Sequence, residues 1–162
     1  MRYIDLATLF AAIVVSACAL PPDSDSPFEV IPSRKLLDKK SDEIRASATI
    51  EGSSIQATIK FRKYGPNDNS DQRHWYGTDG GLPDYVIQSI IVTKDGKPIP
   101  IDPSNYSNFG DISINEERLS IIVSAQNFGI RYSGSDGAGS YEADFIFVKD
   151  RLDRVIMNPY GG

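Results

Sequence analysis

A strict alternation of apolar and polar residues runs through residues 44–61 and leaves few folds open to this chain. Ile44, Ala46, Ala48 and Ile50 alternate with polar residues, and after residues 51–54 the pattern resumes through Ile55, Ala57, Ile59 and Phe61. Successive side chains of a strand point to opposite faces of its sheet, so this period of two predicts two strands with one buried and one solvated face. We expect an antiparallel hairpin here.

Other apolar segments downstream also have the length and the β-branched content of strands. They span residues 85–93, 97–101, 119–125, 128–132, 141–148 and 152–157. Asp95-Gly96 is a two-residue hairpin signal, and Pro98 and Pro100 place the strand that follows at an edge. Asp102-Pro103 predicts an N-cap and the first residue of a short turn of helix. The sequence therefore predicts an all-β fold, an antiparallel β-sandwich or open barrel of about eight strands, with at most a short helical turn near 102–107.

The N-terminal part of the chain has a different composition. Residues 6–19 are almost wholly apolar and follow Arg2, which is the layout of a secretory signal peptide, and the run is short of the about 20 residues that span a bilayer. Residues 21–27 are rich in Pro, Ser and Asp, a composition typical of an extended, flexible segment. We expect a signal peptide over residues 1–17, a flexible spacer over residues 18–42 and a single β domain over residues 43–162.

The only cysteine, Cys18, ends the string VSAC at residues 15–18, which resembles the bacterial lipobox. The resemblance implies that Cys18 is lipidated and becomes the new N-terminus, anchored by two or more acyl chains. Ala19 in the second position then implies sorting to the outer membrane, with the domain facing the periplasm or the cell surface. The alternative is ordinary cleavage after Ala19, which would discard Cys18 and release a soluble periplasmic or secreted protein. Neither route leaves a disulfide or a reactive thiol in the mature chain.

Charge and composition exclude several classes of function. The chain has 162 residues and a formal net charge of -5, so a single domain without a nucleic-acid surface is expected. The only histidine, His74, has no cysteine and no second histidine as a partner for zinc. Residues 67–71 begin like the calcium-binding loop of an EF-hand, but the turn glycine and the final glutamate of that motif are absent. We expect no metal, no cofactor and no assigned catalytic residue.

Residues 65–84 form a long loop between two predicted strands and hold both the only histidine and the only tryptophan. Loops of this length inside a small domain are often functional. His74, Trp75 and Tyr76 are therefore the candidate ligand-binding residues, with the two rings as a stacking platform for a sugar or a peptide. The alternative is that Trp75 folds back and closes one open end of the sheet.

Three functions remain open from the sequence. The first is a non-enzymatic binding or accessory module of the cell envelope, with an envelope protein or a glycan as partner. The second is a carboxylate-dependent hydrolase of envelope polymers. The third is a structural subunit that docks on an envelope assembly through the proline-bearing edge strand. Carboxylates available for the second function are Asp79, Asp84, Asp111, Glu116 and Glu142.

Overall fold

Ten strands and two short 3-10 turns make up the part of the chain that the computed structural model describes. That part consists of residues 28–38, 42–68, 75–111, 115–124, 127–135, 137 and 139–159. The strands are β1 (Glu29–Val30), β2 (Arg34–Asp38), β3 (Glu43–Ile50), β4 (Ser53–Lys63), β5 (Tyr85–Lys94), β6 (Lys97–Ile99), β7 (Leu119–Ser124), β8 (Asn127–Gly134), β9 (Tyr141–Val148) and β10 (Arg151–Pro159). The 3-10 turns are Pro103–Asn105 and Glu116–Arg118.

The strands form two antiparallel five-stranded sheets packed face to face. Sheet A has the order β1-β7-β8-β9-β10, and sheet B has the order β2-β3-β4-β5-β6. The prediction of an all-β fold is confirmed, and of its two forms the structure has the sandwich rather than the open barrel. The number of strands is ten rather than about eight, because β1 and β2 were not counted as strands of the domain.

The two additional strands lie within residues 18–42, the range predicted as spacer. β1 has only two residues and β2 has five, so neither is long enough to show the alternation by which strands are recognised. The chain leaves sheet A at Ile31, whose backbone N–H donates to the carbonyl of Ile121 at 3.1 Å, passes Pro32 and enters sheet B. One segment thus forms an edge of both sheets. Cys18 and the leader lie outside the described residues.

Three of the hairpins turn on two residues that both have positive φ. These pairs are Glu51-Gly52, Asp95-Gly96 and Lys149-Asp150. Positive φ at both central residues is the geometry of a type I′ turn, whose twist matches that of the flanking strands. The signal at Asp95-Gly96 is confirmed, and Asp95 also accepts a hydrogen bond from the backbone N–H of Ser54 at 2.8 Å. The last hairpin joins the segments predicted as strands at 141–148 and 152–157, and it turns on Lys149-Asp150.

The N-cap prediction at Asp102 is confirmed, although the turn it begins is a 3-10 helix. The Asp102 carboxylate accepts a hydrogen bond from the backbone N–H of Ser104 at 2.9 Å, and Pro103 is the first helical residue. This hydrogen bond also lowers the pKa of Asp102. The turn directs the chain across the end of sheet B, toward Tyr106 and Phe109.

The core lies between the two sheets and follows the alternation of the sequence. Sheet B contributes buried side chains from the inward positions of β3 and β4, and sheet A contributes those of β7, β8 and β9. The largest of them are Ile44, Ile55, Ile59 and Phe61 on one side and Leu119, Ile121, Phe128, Ile130, Tyr132, Tyr141, Phe145 and Phe147 on the other. Burial of this apolar area is the main term that favours folding.

Two tyrosines in this core have hydroxyl groups without partners. The Tyr132 and Tyr141 side chains are 0% and 1% exposed, and their rings meet edge-on with centroids 6.1 Å apart. Neither hydroxyl has a hydrogen-bond partner in the described part of the chain. Burial raises the pKa of both phenols far above the ordinary value. Both are therefore neutral in the folded protein at neutral and mildly alkaline pH.

Replacement of either tyrosine by phenylalanine should make the protein more resistant to alkali. The folded-state pKa is raised, so the contribution of each phenol to stability is complete below pH about 10 and is lost above it, as the unfolded chain ionises. Above pH 10 the free energy of unfolding of each variant should therefore fall less steeply than that of the wild type, by about 1.4 kcal/mol per pH unit. Denaturant unfolding of Tyr132→Phe and Tyr141→Phe at pH 8 and pH 11 measures the effect. A pH dependence equal to that of the wild type would contradict the assignment.

Candidate functional site

The loop predicted to carry the site holds Trp75 and Tyr76 in different surroundings. His74, the third candidate, lies outside the described residues. Trp75 and Tyr76 are both half-buried and consecutive, but the Trp75 ring lies against Tyr64 and a surface pocket, whereas the Tyr76 ring lies against the core. The structure therefore does not place the two rings side by side as one platform, and their joint role in binding stays a prediction.

Tyr76 joins the loop to the sandwich through its backbone and its ring. Its N–H donates to the carbonyl of Asn108 at 2.9 Å, and its carbonyl accepts from the N–H of Gly110 at 2.9 Å. Its ring is edge-on to Phe109, with centroids 5.7 Å apart, and tilted against Tyr141 at 5.9 Å. These contacts stabilise the loop against residues 108–110 and the core.

Glycine at position 77 permits this close approach. Gly77 has a φ of +99°, and a Cβ atom placed there would overlap the carbonyl of Gly110 and lie 3.0 Å from the Tyr141 ring. A residue with a side chain would strain the backbone and push the two loops apart. The loop that begins after β4 is thereby held against the loop that follows β6.

Trp75 packs on the opposite side of the same loop. Its ring is edge-on to Tyr64 with centroids 5.7 Å apart, and it lies so near Gly110 that a Cβ on that glycine would be 3.3 Å from its Cε3. Its indole Nε1 is buried, and no acceptor in the described part of the chain reaches it. A buried donor without a partner costs on the order of 1–3 kcal/mol. Trp75 is thus less favourably placed as a core residue than Tyr76.

One face of Trp75 lines a pocket at the end of sheet B, which we call the end pocket. Its volume is about 250 Å³. The side chains that could contact a ligand there are an aromatic wall, two amides and an ion pair, namely Trp75, Tyr106, Asn67, Gln88, Arg62 and Asp68. Such a mixture of one aromatic surface and several convergent polar groups is the usual composition of a small-molecule site.

A β-bulge in β5 places Gln88 at this pocket. Lys60 pairs with Ser89 and the next residue, Phe61, pairs with Ile87, so Gln88 is an additional residue without a partner position on β4. Bulges bend a strand and redirect a side chain, and they are frequent beside functional sites. Here the bulge leaves Gln88 exposed at the pocket rather than in the alternating pattern of the strand.

The ion pair in the pocket is well defined. Arg62 donates through both terminal nitrogens to the Asp68 carboxylate, with Nη1 2.7 Å from Oδ2, and the backbone N–H of Gly65 donates to the same Oδ2 at 2.7 Å. The hydrogen bonds from Arg62 lower the pKa of Asp68, and the same contact raises the pKa of Arg62. Asp68 is therefore ionised and accepts hydrogen bonds at neutral pH, which suits binding and not general-acid catalysis.

The carboxylates considered for hydrolysis have other surroundings. Asp111 accepts a hydrogen bond from the backbone N–H of Asp84 at 2.8 Å and so fixes the entry to β5. Glu142 pairs with Arg131 at 3.1 Å on sheet A. Asp79 is exposed, and the side chain of Glu116 lies outside the described residues. Among the described residues no three His, Cys, Asp or Glu side chains come together as a metal site.

Five of these six residues of the end pocket were not predicted as site residues, namely Arg62, Asn67, Asp68, Gln88 and Tyr106. The sequence contained a signal that could have identified Arg62, because the alternation of β4 places it on the polar face at the end next to the loop. No such signal existed for Gln88, because the sequence of a strand that is apolar on both faces does not reveal a bulge. Asp68 and Tyr106 lie in segments whose path the sequence pattern does not determine.

Comparisons with protein-family models, curated proteins and solved structures found no match for this chain. Within the described residues, no helix has the length and hydrophobicity needed to cross a bilayer.

The two aromatic residues of the loop should differ in their contribution to stability. Tyr76→Ala should lower the free energy of unfolding by about 3 kcal/mol, because it removes a ring that packs on Phe109 and Tyr141. Trp75→Phe should change it by less than about 1 kcal/mol, because it keeps a ring beside Tyr64 and removes a donor without a partner. Urea unfolding of both variants tests this. An equal loss for Trp75→Phe would show that Trp75 is a core residue.

Proposed function

We propose that this protein is an exported, lipid-anchored binding module of the cell envelope, without catalytic activity, whose end pocket holds one sugar residue of a glycan. The observation that carries the proposal is the half-buried Trp75 ring in one pocket with an ionised carboxylate and two amides. A sugar presents an apolar C–H face, which packs on an aromatic ring, and hydroxyl groups, which exchange hydrogen bonds with carboxylate, amide and guanidinium groups.

The charge of the pocket supports an uncharged group as its occupant. Arg62 and Asp68 neutralise each other through a bidentate contact, so neither a free cation nor a free anion is favoured at this position. Because these groups are already held by Gly65 and by each other, they lose little conformational entropy when a ligand binds. The pocket volume of about 250 Å³ suits one ring rather than a long peptide.

The envelope location rests on the leader, which precedes the described residues. Lipidation of Cys18 would attach the domain to a membrane, and the Pro-rich and Ser-rich residues 21–27 would separate the two. A glycan of the envelope would then lie within reach of the domain.

Glycan binding should depend on Trp75 and Asp68. Trp75→Ala and Asp68→Asn should each weaken binding to the best ligand of an envelope-glycan panel by at least about tenfold, about 1.4 kcal/mol. Calorimetric titration of the folded variants measures this. Leu82→Ala is the matched control, because Leu82 is 59% exposed in the same loop and does not line the pocket. Unchanged affinity in both pocket variants would contradict the proposal.

The proposed lipid anchor can be tested separately through the intact mass of the mature protein. Protein expressed with its own leader should appear in the membrane fraction as a species that begins at Cys18 and carries the added mass of acyl chains. Cys18→Ser should abolish that species. Intact mass spectrometry of the membrane and soluble fractions decides the question, and a soluble wild-type species that begins at Leu20 would contradict the anchor.

A further inference from the structure

The end pocket continues into a polar surface on the outward face of β4. The outward side chains of this strand alternate with the core residues and run from the middle of the sheet to the pocket as Gln56, Thr58, Lys60 and Arg62. Arg62 lines the end pocket, whereas Gln56 and Thr58 line a second depression. Since a strand rises about 3.4 Å per residue, the path from Gln56 to Arg62 is about 20 Å long.

The second depression, which we call the face groove, crosses β2, β3 and β4 and has a volume of about 220 Å³. Two rows of paired residues form it. In one row Arg34 lies opposite Ser47, which lies opposite Gln56, and in the next row Leu36 lies opposite Arg45, which lies opposite Thr58. The groove therefore presents two guanidinium groups, hydroxyl and amide groups, and one apolar side chain.

The outward face of sheet B carries a charge opposite to that of the whole chain. Its strand positions hold four cations, Arg34, Arg45, Lys60 and Arg62, and two carboxylates, Asp38 and Glu43. Asp68 in the adjacent loop offsets Arg62, which leaves a small positive excess on the part of the face formed by β2, β3 and the middle of β4. The formal net charge of the chain is -5. We call these cationic side chains the strip. The strip can attract anionic partners although the whole protein is negative, because at short range a ligand responds to the local potential rather than to the net charge.

The cations of this strip remain accessible. Glu43 is 1% exposed and is contacted by both Arg45 and Lys60, with the Lys60 Nζ 3.4 Å from its carboxylate, so one buried anion is shared by two cations. The Arg45 and Lys60 side chains are still 51% and 43% exposed. Arg34 is exposed and forms no ion pair with a described residue. An anionic ligand could contact the exposed parts of Arg45 and Lys60 while both stay beside Glu43, and it could contact Arg34 directly.

We infer that the ligand of the end pocket is one end of an acidic polysaccharide, whose chain runs along the outward face of β4 into the face groove. This inference rests on the proposed function and names its ligand class. One sugar residue occupies the end pocket, and carboxylate or phosphate groups of the following residues lie opposite Lys60, Arg45 and Arg34. The Leu36 side chain, 49% exposed, packs on an apolar face of a sugar ring.

The probes for the test are a disaccharide and an octasaccharide of hyaluronan, in which an uncharged N-acetylglucosamine alternates with a glucuronate that carries one carboxylate. The wild-type protein should bind the octasaccharide at least about tenfold more tightly than the disaccharide. Arg34→Gln, alone and with Lys60→Gln, should remove most of this difference and make binding less dependent on salt, because fewer counterions are released. Arg34→Lys should retain most of it. Lys149→Gln, which removes an exposed cation at the turn between β9 and β10, is the matched control.

The outcomes separate this inference from the proposed function. If Trp75→Ala weakens both probes while Arg34→Gln weakens neither, the pocket function stands and the inference is overturned. If Arg34→Gln weakens binding of the octasaccharide and Trp75→Ala weakens binding of neither probe, the proposed function of the pocket fails and the strip alone binds acidic chains. Binding to neither probe, or equal binding of both probes by the wild type, overturns the inference.

An anionic membrane is the competing partner for a basic sheet face. Vesicles of phosphatidylcholine with phosphatidylglycerol, compared with phosphatidylcholine alone, test it in a sedimentation assay. Charge-dependent vesicle binding that requires Arg34 and is not displaced by the octasaccharide would overturn the inference in favour of a membrane contact. The inferred polysaccharide predicts that the octasaccharide displaces any such binding.

Discussion

The packing of the Tyr141 ring holds together the parts of this protein that matter for its function. The ring lies so close to the backbone of Gly134 that any Cβ there would overlap it, and it contacts Phe109 with centroids 5.3 Å apart as well as Tyr76. Sheet A supplies this ring, whereas Tyr76 and Phe109 belong to the two loops at the end of sheet B. A side chain from one sheet therefore fixes the loops that form the wall of the end pocket.

The same arrangement explains how a small sandwich presents both a pocket and a long surface. Polar residues of a two-layer fold occupy the outward faces of its sheets, where they are usually only solvated. On sheet B the bulge at Gln88 and the ordered loops raise a wall at one end of that face, while the rest stays open. Arg62 belongs to both regions, because it is the last outward residue of the alternating pattern in β4 and also the partner of Asp68. Pocket and face are one continuous surface.

Sequence reasoning predicted the elements of the fold better than the site. The alternation in residues 44–61 and the signal at Asp95-Gly96 determined β3 to β6, because both are local and depend on few residues. β1 and β2 were not counted as strands of the domain, since edge strands are stabilised by their neighbours and not by their own pattern. The loop was predicted to be functional, yet the separation of Trp75 from Tyr76 depends on Gly77 and Gly110, which meet only in the folded chain. The positions of Gln88 and Asp68 at the end pocket could not be predicted for the same reason, because they depend on contacts that form only in the folded chain.

The shared edge formed by β1 and β2 has a mechanical consequence. A force on the chain before residue 28 acts first on β1, whose two residues pair with β7, and next on β2, whose five residues pair with β3. Antiparallel strands pulled from one end separate one hydrogen-bonded pair at a time, so these short edges yield before the hairpins of either sheet. Their release would lengthen the connection to whatever holds the N-terminus and leave β3 to β10 paired. Release of β2 would also carry Arg34 and Leu36 away from β3, so tension on the N-terminal side would open the face groove while the end pocket stays intact.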